Sequence, residues 1–207
     1  MRRRTIGCEA FPLPMTVSIL GTITDGHPNF MALGWWTRVN YRPAMLGISI
    51  NKMNHSCHAI MENREFSLNF PPVSLVTQTD CTGLISGKYV DKSGLFSVYS
   101  GILAQAPLIE ECGLAIECRL VESVSLPTHH FVVGEIAAVH ADEDLLSNGM
   151  PDMEKLQPVT LSMPYNRYWC GGTYVGQAWK MGRELRDQLL DQPFTRKALP
   201  IKRRRPG

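Results

Sequence analysis

No G-x-G-x-x-G stretch occurs anywhere in the 207 residues. A Rossmann-type cradle, in which such glycines bring a helix N-terminus onto a pyrophosphate, is therefore absent, and a nicotinamide donor would have to bind without one. None of the six cysteines, at 8, 57, 81, 112, 118 and 170, forms a C-x-x-C pair, which removes zinc ribbons and thioredoxin-type centres. His55, Cys57 and His58 crowd together, but no second ligand pair with familiar spacing follows, so no metal is expected. No apolar run approaches the length of a membrane span. The first 20 residues lack the apolar centre and small-residue cleavage site of a signal peptide. The expected setting is cytoplasmic, where disulfides are disfavoured and cysteines in apolar runs serve as buried thiols. No nucleophile–base triad stands out.

Charge is also sparse, at 19% of residues. The net value of +2 belongs to the ends. Arg2, Arg3, Arg4, Lys202, Arg203, Arg204 and Arg205 carry seven positive charges, and without them 14 Lys and Arg face 19 Asp and Glu. No basic–aromatic interleaving continues inward, so nucleic-acid binding is not expected and the ends read as solvated. The expected organisation is a basic arm over 1–9, one domain over 10–190 and a basic tail over 191–207, with no internal repeat.

A chain that is 44% hydrophobic over this length can bury one sizeable core. Period-two alternation predicts strands at Met15–Thr24, from Phe30, at Ala44–Ile50, Glu65–Asn69, Leu114–Glu122 and Phe131–His140. Short helices are expected over Ser56–Asn63 and Ser74–Leu84, and helical composition over Val175–Leu190. Asp25-Gly26 turns the first strand into the second through a hairpin loop longer than the tightest type. Leu114–Glu122 reads as half-buried, with Ala115, Glu117, Arg119 and Val121 on the second face. Trp169, Tyr174 and Trp179 are expected to pack by default, or else to line a pocket edge or a dimer contact. Successive strands with few helices between them favour a mainly β antiparallel barrel over a doubly wound sheet.

The stretch from Asn29 to Asn69 carries the functional signal. On a strand, Phe30, Ala32, Gly34 and Trp36 share one face, and Met31, Leu33, Trp35 and Thr37 share the other. The small pair Ala32 and Gly34 leaves room for a flat ring against the backbone, or for a bulge or a large side chain opposite. The next strand ends in Lys52, Asn54, His55 and Ser56, just before a helix. A helix N-terminus is a ready anion site, and Asn54 or Ser56 could equally be an ordinary cap. Together, the strand and the cluster suggest a ligand made of a ring and a phosphate, such as flavin mononucleotide (FMN).

These residues resemble the flavin reductase-like, FMN-binding split-barrel family, and within it the flavoredoxin-like branch. The resemblance rests on Thr24-Asp25-Gly26-His27-Pro28-Asn29, Gly34-Trp35-Trp36-Thr37, the segment from Ser56 to Ile60, and Glu65-Phe66-Ser67-Leu68-Asn69. It continues through Ser86-Gly87-Lys88-Tyr89-Val90-Asp91-Lys92, Ile116-Glu117-Cys118 and His129-His130-Phe131-Val132-Val133-Gly134-Glu135-Ile136. It implies a six-stranded antiparallel barrel, a homodimer, and FMN at or near the subunit interface. FMN-binding positions on this reading are Ala32, Leu33, Gly34, Trp35, Trp36, Lys52, Asn54, His55, Ser56, Asn69, Ser86 and Lys92. Within the cap cluster, Lys52 is expected to supply the charge for the phosphate. His129, five positions before Gly134, is the candidate near the reacting ring; its neighbour His130 is not. The implied activity is an oxidoreductase that moves electrons through FMN to a flavin, metal or protein acceptor, from NAD(P)H or a redox protein. Alternatives are a non-catalytic flavin-binding protein and a pyridoxamine phosphate oxidase-like enzyme.

Overall fold

The computed structural model describes residues 13–190, and side chains as far as Arg186. The basic arm, Cys8 and the tail from 191 lie outside the described residues. Residues 11–172 form one compact unit, and the chain from 173 belongs to a second. The expected domain over 10–190 thus spans a division after residue 172.

In chain order the first unit contains β1 (Met15–Thr16), β2 (Ser18–Thr24), β3 (His27–Leu33), β4 (Trp36–Asn40), β5 (Met45–Asn51), α1 (His55–Asn63) and β6 (Glu65–Asn69). A 3-10 turn at Val73–Leu75 leads into α2 (Val76–Leu84), followed by β7 (Val98–Ser100), β8 (Pro107–Ile109), β9 (Leu114–Ser125) and β10 (His129–Ala141). Then come β11 (Leu146–Ser147), β12 (Met150–Pro151), α3 (Met153–Leu156), β13 (Val159–Ser162) and β14 (Arg167–Cys170). The main sheet has seven strands in the order β3-β2-β6-β9-β10-β5-β4, all antiparallel. β13 pairs with β1 and β14 in a separate small sheet.

The sheet curls because its two end strands are joined by two residues. β3 stops at Leu33 and β4 starts at Trp36. A link of that length spans about 10 Å at most, so opposite ends of the sheet order meet at this corner. Taken as one stretch, β3 and β4 make the sheet a structure of six stretches, the number expected.

The β2–β3 turn differs from expectation. Thr24 pairs directly with His27, and Asp25 (φ 51°) and Gly26 (φ 79°) both lie in the left-handed region. This is the tight two-residue turn that Asp-Gly favours. Pro28 is accommodated in β3 because β3 is an end strand of the sheet order, where a proline need not break a ladder.

The inner face holds Leu20, Leu33, Leu46, Ile48, Ile50, Phe66, Leu68, Cys118, Leu120 and Val132, with Cys57 and Ile60 of α1 packed against them. A second cluster covers the other side of β2 and β3 with Ile19, Phe30, Leu75, Phe96, Ile109 and Cys112. β9 is therefore covered on both faces over its first half, and Ala115 and Glu117 are fully buried. That corrects the half-buried reading. Cys57, Cys112 and Cys118 are buried free thiols, whereas Cys170 is exposed.

The second unit, by itself, shows α4 at Arg183–Leu190. Tyr174 and Trp179 are exposed there, as is Trp169 of β14. These rings do not pack within their own units. Among the described residues no helix is long and apolar enough to cross a membrane.

Candidate functional site

β5 delivers the chain to α1, and the polar cluster sits at that junction. Asn54 is the N-cap residue, yet its side chain makes no capping hydrogen bond. Its Nδ2 donates to Met31 Sδ at 3.2 Å. The start of α1 is thus open to an outside acceptor, as an anion site requires. A cavity of about 250 Å³ opens here, lined by Asn29, Asn54, His55, Ser56, Ser86 and Lys92 among others. Five of the expected binding residues meet in one place although the sequence separates them by up to 38 positions. A second cavity, about 390 Å³, shares Asn29, His55, Gly87 and Lys92 with the first.

Asn29, Ser56 and Lys92 are buried polar side chains that line the first cavity, with Thr82 beside them. Asn29 Nδ2 donates to Ser56 Oγ at 2.9 Å. Asn29 was read only as part of the turn motif; its position on a strand facing α1 makes it a site residue. Gly87 brings the closing loop against it, since a Cβ there would fall 2.0 Å from Asn29 Oδ1.

Lys92 is the third. It is only 4% exposed, and its Nζ donates to the carbonyl oxygens of Thr82 and Ile85, both at 3.1 Å, at the end of α2. No carboxylate lies within ion-pair distance of it among the described residues. Burial pulls the Lys92 pKa below the ordinary lysine range, and the Cys81 thiol opposes that pull. An ammonium carries three N–H donors, and two are used. A buried charge without a counter-ion is costly, so the arrangement suits an incoming anion.

A second pairing lies at the β3–β4 corner. Ser49 N donates to Trp35 O at 2.8 Å. The Trp35 and His129 rings stack with centroids 5.2 Å apart and planes 28° from parallel. Thr128 Oγ1 and His129 Nδ1 are 2.8 Å apart, and Thr128 O accepts from Lys52 N. Trp35 is exposed, which leaves this aromatic pair open to a flat partner.

Other expected residues are placed elsewhere. Leu33 is in the core, and Trp36 packs edge-on against Phe70 while donating from Nε1 to Thr16 O. Asn69 is fully buried, donating to Ile19 O and Ser67 Oγ and accepting from Ile109 N. None of these three lines either cavity. The face alternation assumed for Leu33 and Trp36 breaks at Gly34-Trp35, where one strand ends and another begins. A Cβ on Gly34 would meet only Met15 among protein atoms, at an ordinary 3.8 Å, so no part of the chain itself packs tightly against that glycine. Ala32 lies beside Gly83 of α2. Lys52 lines neither cavity; the buried cation there is Lys92. His58 is exposed while Cys57 is buried, so the His55–His58 cluster does not converge.

The flavin reductase like domain matches residues 10–161. The chain belongs to the flavin reductase-like family. Among solved structures, flavoredoxin from Methanosarcina acetivorans is 47% identical with a TM-score of 0.87, covering 89% of this chain and all of that one. Flavoredoxin of Desulfovibrio vulgaris (Miyazaki F) is 28% identical with a TM-score of 0.81, covering 87% of this chain and all of that one. An uncharacterized protein of Archaeoglobus fulgidus is 30% identical over 74% of this chain and 86% of its own length. The fold is shared with a split-barrel domain structure from Shewanella frigidimarina, 21% identical with a TM-score of 0.72, covering 80% of this chain and 86% of that one.

Proposed function

We propose that the protein is an FMN-dependent oxidoreductase of the flavoredoxin type. The observation that carries this reading is the unpaired Lys92 ammonium beside the Asn29–Ser56 pair, at a helix start with no side-chain cap. The flavoredoxins among its relatives and an FMN-binding protein from Thermus thermophilus of the same fold support the choice of ligand. On this reading the α1 N-terminus, Ser56 and Lys92 hold the phosphate, with Asn54, His55 and Ser86 along the adjoining wall. Trp35 and His129 bound the ring. The bound flavin supplies the electron chemistry, and the side chains position it and keep water from one face.

The test is to release the bound flavin, identify it by chromatography, and follow NAD(P)H oxidation with and without an acceptor. FMN in the released fraction and electron transfer to an acceptor are expected. FAD alone, or no flavin uptake by the apoprotein, overturns the reading. FMN without turnover from any donor favours a storage protein.

We further propose a homodimer. The outer face of the sheet is apolar along one strip: Phe131 lies over Gly47 toward Val39, opposite Val124, and Val39 and Val124 are exposed. A strip of this kind on a single chain marks an interaction surface. Light scattering across concentrations should give twice the 23.2 kDa chain mass. A stable monomer with full FMN occupancy contradicts it.

A further inference from the structure

The two oxygens that hold the Lys92 ammonium belong to the end of α2: Thr82 lies in its last turn, and Ile85 follows it. Ile85 leaves the helix in extended backbone, φ −123° and ψ 143°, so no left-handed cap closes that end. Lys92 closes it from outside, as a lysine at a helix C-terminus can. Where Lys92 stands therefore follows where α2 ends. The helix does little to fix itself. It has nine residues; Val76, Thr77, Thr79 and Thr82 are β-branched, and Gly83 falls in the last turn. So short a helix of such residues is not stable alone in water, and outside contacts must place it. Before its start, Leu75 is held in the second apolar cluster. Near its end, a Cβ on Gly83 would stand 3.4 Å from the Ala32 Cβ of β3. Between these, Asp80 Oδ1 accepts from the Tyr168 hydroxyl at 2.7 Å, across 88 positions of sequence. That length is typical of a strong bond from a hydroxyl to a carboxylate. Tyr168 sits on β14 opposite Leu161 of β13, and Val17 N donates to Val159 O at 2.8 Å, which ties this small sheet to the chain beside β2. Burial, and then Asp80, push the Tyr168 hydroxyl up to about 12, so it stays a donor at neutral pH.

We propose that Tyr168 is a positioning residue for the phosphate end of the site: by tethering Asp80 it fixes the end of α2, and with it the Lys92 ammonium that tells a phosphorylated flavin from an unphosphorylated one. The proposal rests on the FMN reading above. Asp80 precedes Thr82 by two residues, about 3 Å along the helix axis, so the tether and the carbonyl cage move as one piece. Both Lys92 bonds are 3.1 Å long. A displacement of roughly half an ångström along them takes them past hydrogen-bond length. The ammonium would then be left loose in the cavity wall. Tyr168 and Asp80 line neither cavity, so neither touches the ligand and both act through Lys92. The Trp35–His129 pair, which bounds the ring, belongs to other elements and does not depend on the tether.

The test titrates FMN and riboflavin, by fluorescence quenching, into the full chain freed of flavin. The proteins are the parent, Tyr168→Phe, Asp80→Asn, Lys92→Met and the double variant Tyr168→Phe/Lys92→Met. Tyr168→Phe keeps the ring and removes only the donor. It should weaken FMN by about three- to tenfold, the scale of one hydrogen bond, and change riboflavin by less than about twofold. Asp80→Asn keeps an acceptor oxygen for the hydroxyl and should bind FMN nearly as the parent does. With Lys92 already replaced, Tyr168→Phe should change FMN affinity by less than about twofold, because residues that act through one another are not additive. Unchanged FMN affinity in Tyr168→Phe overturns the proposal. Equal weakening of both flavins overturns it too, since Tyr168 then supports the fold alone. So does a full loss that persists in the Lys92→Met background, which would mean a route that bypasses Lys92. An Asp80→Asn loss as large as that of Tyr168→Phe makes the Asp80 charge the active element and likewise overturns it. In each of these cases the parent still binds FMN, and the FMN reading stands. A parent that binds no FMN overturns both.

Discussion

Glu117→Ala should cost the protein about a fifth or more of its stability. The Glu117 side chain is fully buried on β9. Its carboxylate accepts from the backbone N–H of Ile102 at 3.0 Å and of Leu103 at 2.8 Å, and pairs with His140 Nε2 at 2.7 Å. The loop before β8 wraps this carboxylate so closely that a Cβ on Gly101 would sit 2.4 Å from Oε2. Truncation leaves two backbone donors and a half-buried imidazole without their acceptor. Breaking a buried, hydrogen-bonded pair from one side typically costs about 3–5 kcal/mol, against a total stability of about 5–15 kcal/mol. Glu117→Gln keeps the shape but offers one acceptor oxygen in place of two. Its cost should be smaller, about 1–3 kcal/mol for one unsatisfied donor. Urea denaturation of the parent and both variants measures the series. A loss below about 1 kcal/mol for Glu117→Ala would mean that water replaces the carboxylate and that the loop is not held by it.

The same residue shows where sequence reasoning stops. Alternation along Leu114–Glu122 located the strand but placed Glu117 on a polar outer face. Its partners come from a loop about 15 positions earlier and a histidine 23 positions later. No local pattern announces them. Strands such as Glu65–Asn69 were readable because Phe66 and Leu68 alternate with Ser67 and Asn69, although both faces of this strand are buried. The cap cluster at Asn54–Ser56 was readable because a helix start is a local event. The remaining site residues need tertiary closure. Asn29 joins Ser56 only because β3 runs past α1, and Gly87 then seals that pair. Lys92 was named through family resemblance, but its burial follows from the loop folding back onto the end of α2. The alternation assumed from Phe30 to Thr37 fails for a related reason: a stretch that changes partners between Leu33 and Trp36 also changes which face its side chains occupy.

Lys92 should be the side chain on which FMN and riboflavin part company. The two ligands share a ring, and only FMN has the phosphate. The Lys92 ammonium is buried against two carbonyl oxygens, and no carboxylate among the described residues pairs with it. A charge-assisted contact is worth about 1.5–3 kcal/mol, which is roughly 10- to 150-fold in affinity. Lys92→Met should weaken FMN binding by that factor, while riboflavin binding changes much less. Lys52→Ala should have a smaller effect on FMN, because Lys52 lines neither cavity. The pH dependence follows from the depressed Lys92 pKa. The unfolded chain holds this proton more tightly than the folded apoprotein, so apoprotein stability rises with pH between the lowered value and the ordinary lysine value of about 10.4. FMN binding runs the other way. It needs the ammonium, so FMN affinity should fall as pH rises through the lowered pKa, although the phosphate, with a second pKa of about 6, is already doubly charged there. Riboflavin affinity should stay flat over the same range, and Lys92→Met should remove the alkaline loss for FMN. Fluorescence quenching titrations of both flavins into parent and variant apoproteins across that range decide the matter. Equal weakening of FMN and riboflavin in Lys92→Met would make Lys92 a cap for the carbonyls of α2 and would move the phosphate elsewhere.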